Sequence, residues 1–103
     1  MRIEVRNRIL KQYGNKCCYC GSENKLEIDH IIPISKGGRE DERNMQVLCK
    51  RCNISKGNRI NILDWFIYDP ISDLIYISKE LPLHSFKPHE LKAAIELLFD
   101  YKS

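Results

Sequence analysis

The sequence predicts an α+β fold, a single domain over residues 1–103 with strand, long loop, strand and helix at its centre, flanked by an N-terminal helix and C-terminal helices. Three observations carry this expectation. A chain of 103 residues suits one modest core that a bound metal would reinforce, because small domains bury too little surface to be comfortable. Four of the five cysteines fall into two C-x-x-C pairs, Cys17/Cys20 and Cys49/Cys52. Around those pairs the apolar spacing switches between helical and alternating periods.

Taken in order, residues 2 to about 13 read as a helix: Val5, Ile9 and Tyr13 share one face with Leu10 alongside, and Gly14 is a stop signal. The first cysteine pair follows. Leu26 to His30 alternates as a short strand with Leu26 and Ile28 on one face and Glu27 and Asp29 on the other. Pro33 and the polar run SKGGREDERN then read as a loop. Met45 to Cys49 is the returning strand, and CKRCNISKGNR reads as a helix that opens at the second cysteine pair. In the extension, residues 60–103, the apolar run Ile62, Leu63, Trp65, Phe66, Ile67 suggests a core helix or strand, and residues 70 to 81 a further short helix. Pro88 suits a first helical position, and Leu91, Ala94, Ile95, Leu98 and Phe99 follow the spacing of one buried face.

Two thiolates separated by two residues can meet one ion at tetrahedral angles, so Cys17, Cys20, Cys49 and Cys52 are expected to form a closed structural zinc site rather than disulfides. Cys18 is left over and reads as a small buried hydrophobe. The 28 residues between Cys20 and Cys49 exceed the roughly 15 to 20 of a simple zinc ribbon, so the clasp holds a long excursion of chain in shape.

Charge is unevenly spread. Residues 1–60 carry 13 Lys/Arg against 7 Asp/Glu, whereas residues 61–103 carry 4 against 7. The basic part suits a polyanion, because each neutralised phosphate releases counterions. No stretch approaches the roughly 18 apolar residues of a membrane span, and no secretory signal is recognisable, so a soluble intracellular protein is expected.

Inside the excursion stands the pair Asp29-His30, at a strand end before a proline and two glycines. The combination of C-x-x-C, EIDHIIPISKGG, NMQVLC, C-x-x-C-N and a trailing KGNR resembles the HNH endonuclease family, of ββα-metal architecture, over roughly residues 14–59. The resemblance implies that His30 is the general base and Asp29 a metal ligand. It further implies that Asn53 is the second protein ligand and that Asn44 pins the loop through side-chain to backbone hydrogen bonds. Many relatives carry histidine where this chain has Asn53. An aspartate and asparagine oxygen pair completed by water is a hard ligand set, which favours Mg²⁺ or Mn²⁺ as the catalytic ion. The chemistry agrees: phosphodiester hydrolysis needs an activated water and relief of negative charge, which one base and one divalent ion can supply.

Lys56, one helical turn beyond Asn53, and Arg59 a further turn along are candidate phosphate contacts, and Lys36 with Gly37 and Gly38 would form a mobile basic lip. DNA is the expected partner ahead of RNA, no membrane is involved, and a homodimer or a larger protein partner stays open. A lone histidine is ordinarily a satisfied side chain, and only the company of Asp29, Asn44 and Asn53 singles out His30; His84 and His89 lack such company. Trp65, Phe66 and Tyr68 read as core before they read as a base-stacking platform, and Glu40-Asp41-Glu42 as a solvated loop before a metal site. The competing function is a non-catalytic zinc-stabilised nucleic-acid-binding module. Loss of Asp29, His30 or Asn53 would mark it, and all three are present.

Overall fold

A computed structural model describes residues 1–61, 66–77 and 85–102, the last five of these as backbone only. Helix α1 spans Ile3–Gln12. It ends where Gly14 takes a positive φ of 68°, with Gly14 N–H bonded to Lys11 O and Asn15 N–H to Leu10 O, a paired closure that satisfies the last carbonyls of the helix. Strands β1 (Leu26–His30) and β2 (Met45–Cys49) form an antiparallel ribbon in which Leu26 faces Cys49, Asp29 faces Gln46 and His30 faces Met45. Helix α2, Lys50–Lys56, follows β2 directly, with the Cys49 sulfur as its capping acceptor.

Alternation gives the ribbon two different faces. Leu26 and Ile28, with Met45 and Val47 opposite, pack against Val5, Ile9 and Leu10 of α1 and Tyr13 at its C-cap. The other face carries Glu27 and Asp29 and receives α2. The connection from β1 to β2 contains two 3-10 turns, Ile34–Lys36 and Glu42–Asn44. Ile31 and Ile32, just past His30, are buried and belong to a second core built with the extension.

That extension is the main departure from the sequence reading. Over residues 70–77 it holds a turn and a strand in place of a helix: β3 (Phe66–Asp69), β4 (Leu74–Ile77) and β5 (Ser85–Phe86) make a three-stranded antiparallel sheet before α3 (Leu91–Lys102). Two interactions set it, one local and one between strands. Asp69 accepts from Ile71 N–H and from the Ser72 hydroxyl, closing a tight turn around Pro70, and the Leu-Ile-Tyr-Ile run, with two β-branched residues and an aromatic one, then pairs back on β3. Helix is confined to the end, where Pro88 opens a 3-10 turn that runs into α3. Phe66 and Phe86 meet edge to face at 6.1 Å between ring centres, and Phe66 and Tyr68 pack against the core as expected. Ile67 is exposed. The readings of Ile62, Leu63, Trp65 and His84, and of the Leu98 and Phe99 side chains, fall outside the described residues. No described helix is long and apolar enough to cross a membrane.

The loop after His30 is held rather than loose. Gly38 N–H and Lys36 N–H both bond Pro33 O, and Gly37, at φ 88°, lies so close that a Cβ there would stand 2.7 Å from Pro70 Cγ. The mobile lip expected at Lys36–Gly38 is thus a bonded turn seated on the extension. A Cβ on Gly38 would lie 2.0 Å from Ile32 O, a contact that only backbone movement relieves. Gly38→Ala is expected to cost about 1–3 kcal/mol in urea unfolding; a variant as stable as the parent would show that the loop does not need this approach.

Candidate active site and metal centre

The two cysteine turns meet at one end of the ribbon. Cys17, Cys20, Cys49 and Cys52 place their sulfurs within 4.8 Å of one another, and none is in a disulfide. A tetrahedral ion with metal–sulfur bonds of about 2.3 Å requires sulfurs roughly 3.8 Å apart, and Cys20 and Cys49 stand at 3.6 Å. The four residues therefore form a metal site, and an all-sulfur tetrahedral set suits zinc. Burial pushes the Cys17 thiol up, but hydrogen bonds from the backbone at Cys20, Cys49 and Tyr19 and from the Cys20 side chain prevail and bring it down to about 6. Burial and the charge of Cys17 push the Cys18 thiol the other way, up to about 12, so it stays protonated and half-buried, as expected of a spare cysteine.

At the opposite end stand Asp29 and His30. Four residue steps along the strand separate His30 from Leu26, the partner of Cys49, which is about 13 Å at the usual rise. Helix α2 lies against the Glu27/Asp29 face. Asn53 Nδ2 donates to Glu27 Oε1 at 2.9 Å, and one turn later Lys56 Nζ stands 3.0 Å from Asp29 Oδ2 and 2.9 Å from His30 O. Gln46, the cross-strand partner of Asp29, donates from Nε2 to the same Asp29 oxygen at 3.1 Å. Among the described residues no hydrogen bond engages Asp29 Oδ1 or Asn53 Oδ1.

Lys56 corrects the sequence reading. It is 1% exposed, with its ammonium turned inward, so it offers no outward contact for a phosphate. Removing either member of its pair with Asp29 would strand a buried charge, at a cost of about 3–5 kcal/mol. Arg59 also departs from expectation: α2 stops at Gly57, and the Arg59 guanidinium folds back onto the carbonyls of Ser55 and Lys56 instead of extending the helix face. Lys36 is exposed at the end of its 3-10 turn.

His30 Nε2 lies 2.9 Å from Glu40 Oε1, with the His30 side chain 32% exposed. If Nε2 carries the proton and donates it to this carboxylate, Nδ1 is the acceptor nitrogen. The three acids of the loop serve three different partners. Glu40 meets His30, Asp41 accepts from Arg43 N–H, and Glu42 pairs with Arg8 of α1. They do not converge on one ion. Asn44, buried, accepts from Ile32 N–H at 2.9 Å and donates to Ile32 O and Arg39 O, tying both limbs of the loop together. Past this asparagine the loop walls a cavity of about 250 Å³ with Arg39, Arg43 and Lys87, where exposed His89 also lies.

Sequence reasoning passed over Glu27, Glu40 and Gln46. The strand register would have paired Gln46 with Asp29, but the long loop between the strands leaves that register open in the sequence. Glu40 carries no sequence signal that separates it from its acidic neighbours.

The model of the family described as HNH endonuclease matches residues 17–59. The CRISPR-associated endonuclease Cas9 of Corynebacterium diphtheriae is 37% identical over 57 residues, and that of Actinomyces naeslundii 38% identical over 58. Each match takes in 52% of this chain, which spans only about 5% of the length of these relatives. The crystal structure of the Type II-C Cas9 enzyme from Actinomyces naeslundii overlaps 52% of this chain and 6% of its own, with 36% identity and a TM-score of 0.45.

Thiolates must lose their protons to bind an ion, so acid and cysteine replacement act on the same site. Cys49→Ser is expected to lower bound metal and melting temperature together. Because the Cys17 pKa is depressed from 9.0, the stability its thiolate gives the metal-free fold is complete above about pH 9 and is lost as the pH falls through about 6. Melting temperatures of the metal-free protein across pH 5–9 measure this; a flat profile would remove Cys17 as the titrating group.

Proposed function

We propose, from the match of residues 17–59 to the HNH endonuclease family model, that this chain is a metal-dependent endonuclease hydrolysing DNA phosphodiester bonds, with a structural zinc at its four cysteines. The observation that carries the reading is the docking of α2 on β1. It brings Asn53 and Asp29 to one strand face, beside the strand end occupied by His30.

The donor set fits a hard cation. Asp29 keeps Oδ1 after Oδ2 is taken by Lys56 and Gln46, and Asn53, whose amide nitrogen is held by Glu27, keeps its carbonyl oxygen. A divalent ion bound there, Mg²⁺ or Mn²⁺ by ligand hardness, supplies relief of negative charge on the phosphate. His30 takes the proton of the attacking water at Nδ1, and donation from Nε2–H to Glu40 keeps the ring in that tautomer. Asn44 fixes the chain on both sides of the turn, so His30 and the loop acid that faces it keep their relation. Lys36, with Arg39 and Arg43 on the same basic lobe, contacts the backbone of the nucleic acid and sets its path without reading bases. With one cleavage centre per chain, cutting both strands takes a second copy or two successive nicks.

Purified protein with Mg²⁺ or Mn²⁺ is expected to nick supercoiled plasmid. His30→Ala should lower the rate by about 10²-fold or more while leaving zinc content and melting temperature unchanged. Equal nicking by variant and parent would mean the activity resides elsewhere.

A further inference from the structure

A fully buried lysine is an expensive thing to keep, and here it lies against the carboxylate assigned to the metal. Lys56 is 1% exposed, its Nζ 3.0 Å from Asp29 Oδ2, and the Asp29 side chain is 15% exposed. The ammonium also holds the carbonyl of His30 at 2.9 Å, and Gln46 adds a neutral donor to the same Asp29 oxygen. A buried charge persists only when paired, so each of these two ions requires the other.

The consequence concerns affinity for the divalent ion. An ion approaching Asp29 and Asn53 meets one carboxylate whose charge is already balanced from inside, one neutral amide, and a fixed ammonium that repels it. Glu27, the other acid on this face, is exposed, so water and salt weaken its contribution. Glu40 is directed to His30. The missing negative charge must come from outside the protein, and the substrate phosphate is the group that carries it.

We propose that Lys56 is a built-in counter-ion of Asp29 that makes retention of the catalytic divalent ion depend on nucleic acid: the free protein holds the ion weakly, and phosphodiester and ion bind as a pair. Lys56 is in this sense a positioning residue, acting through Asp29 and the His30 carbonyl. The inference rests on the assignment of Asp29 and Asn53 under the proposed function. It goes beyond that assignment in stating an order of assembly and the residue that imposes it.

The test uses the zinc-loaded 103-residue chain carrying His30→Ala, so that DNA stays intact. Free Mn²⁺ is followed by electron paramagnetic resonance, with and without a short duplex, against the duplex alone. Duplex is expected to tighten Mn²⁺ binding by at least about tenfold, and Lys56→Met, which removes the repelling charge, to tighten binding to the DNA-free protein by a similar factor. Lys56→Gln, whose amide can still donate to Asp29 and the His30 carbonyl, should act in the same direction and serves if the methionine variant fails to fold. Mn²⁺ affinity equal with and without duplex, or unchanged on neutralising Lys56, overturns the inference and leaves the nuclease reading standing. Mn²⁺ binding that survives Asp29→Asn unaltered overturns the site assignment and the inference with it.

Discussion

Four sulfur atoms within 4.8 Å of one another close the two ends of the excursion between Cys20 and Cys49, and the remainder of the site is arranged from that closure. The second pair of cysteines brackets the start of α2, so a bound ion fixes the end of β2, the start of the helix and the first knuckle in one step. Cys18 N–H bonds Val47 O and Lys50 N–H bonds Lys25 O, which extends this hold to both strands. A two-stranded ribbon is marginal by itself. Clasped at one end and backed by Ile9, Met45 and Val47, it becomes a rigid arm that delivers Asp29 and His30 to its far end.

That far end is stabilised by a different chemistry. Asn44 makes three hydrogen bonds to backbone groups of the loop, and the close approach of Gly38 to Ile32 lets the chain double back where a larger residue would not fit. Beneath it the extension places Ile60, Ile75, Ile77, Phe86 and Leu91 around Ile31 and Ile32. These residues of the extension thereby acquire a structural role: they bury the apolar side of the loop that follows His30. The small first core is separate from this one, and α1 meets the loop through the Arg8–Glu42 ion pair.

Between the two ends lies a line of polar side chains that is largely out of water. Cys18 approaches Gln46 at 3.5 Å, Gln46 donates to Asp29, and Asp29 pairs with Lys56, which returns to the backbone of His30. Among the described residues no buried side-chain nitrogen or oxygen lacks a partner. Such a chain links the sulfur end to the strand end through fixed geometry. It also binds the carboxylate to a cation before any metal is considered.

What the sequence determined by itself is the part governed by short-range spacing. The two C-x-x-C turns, the strands Leu26–His30 and Met45–Cys49, the helix entered at Cys49 and the stop at Gly14 all follow from patterns a few residues long, whose physical causes are local, whereas the loop-tying role of Asn44 was implied only by the family resemblance. The metal-site cysteines and the HNH likeness were legible for the same reason. Tertiary structure alone decided the rest. Lys56 reads as a surface cation until β1 and α2 are brought together, because whether a long side chain reaches solvent or a buried carboxylate depends on packing and not on its neighbours in sequence. Glu40 meets His30 across a loop, and Gln46 meets Asp29 across a ribbon, through registers that no local period encodes. The strand at Leu74–Ile77 belongs here too: its apolar run fits helix or sheet equally, and pairing with Phe66–Asp69 settled which backbone could satisfy its hydrogen bonds.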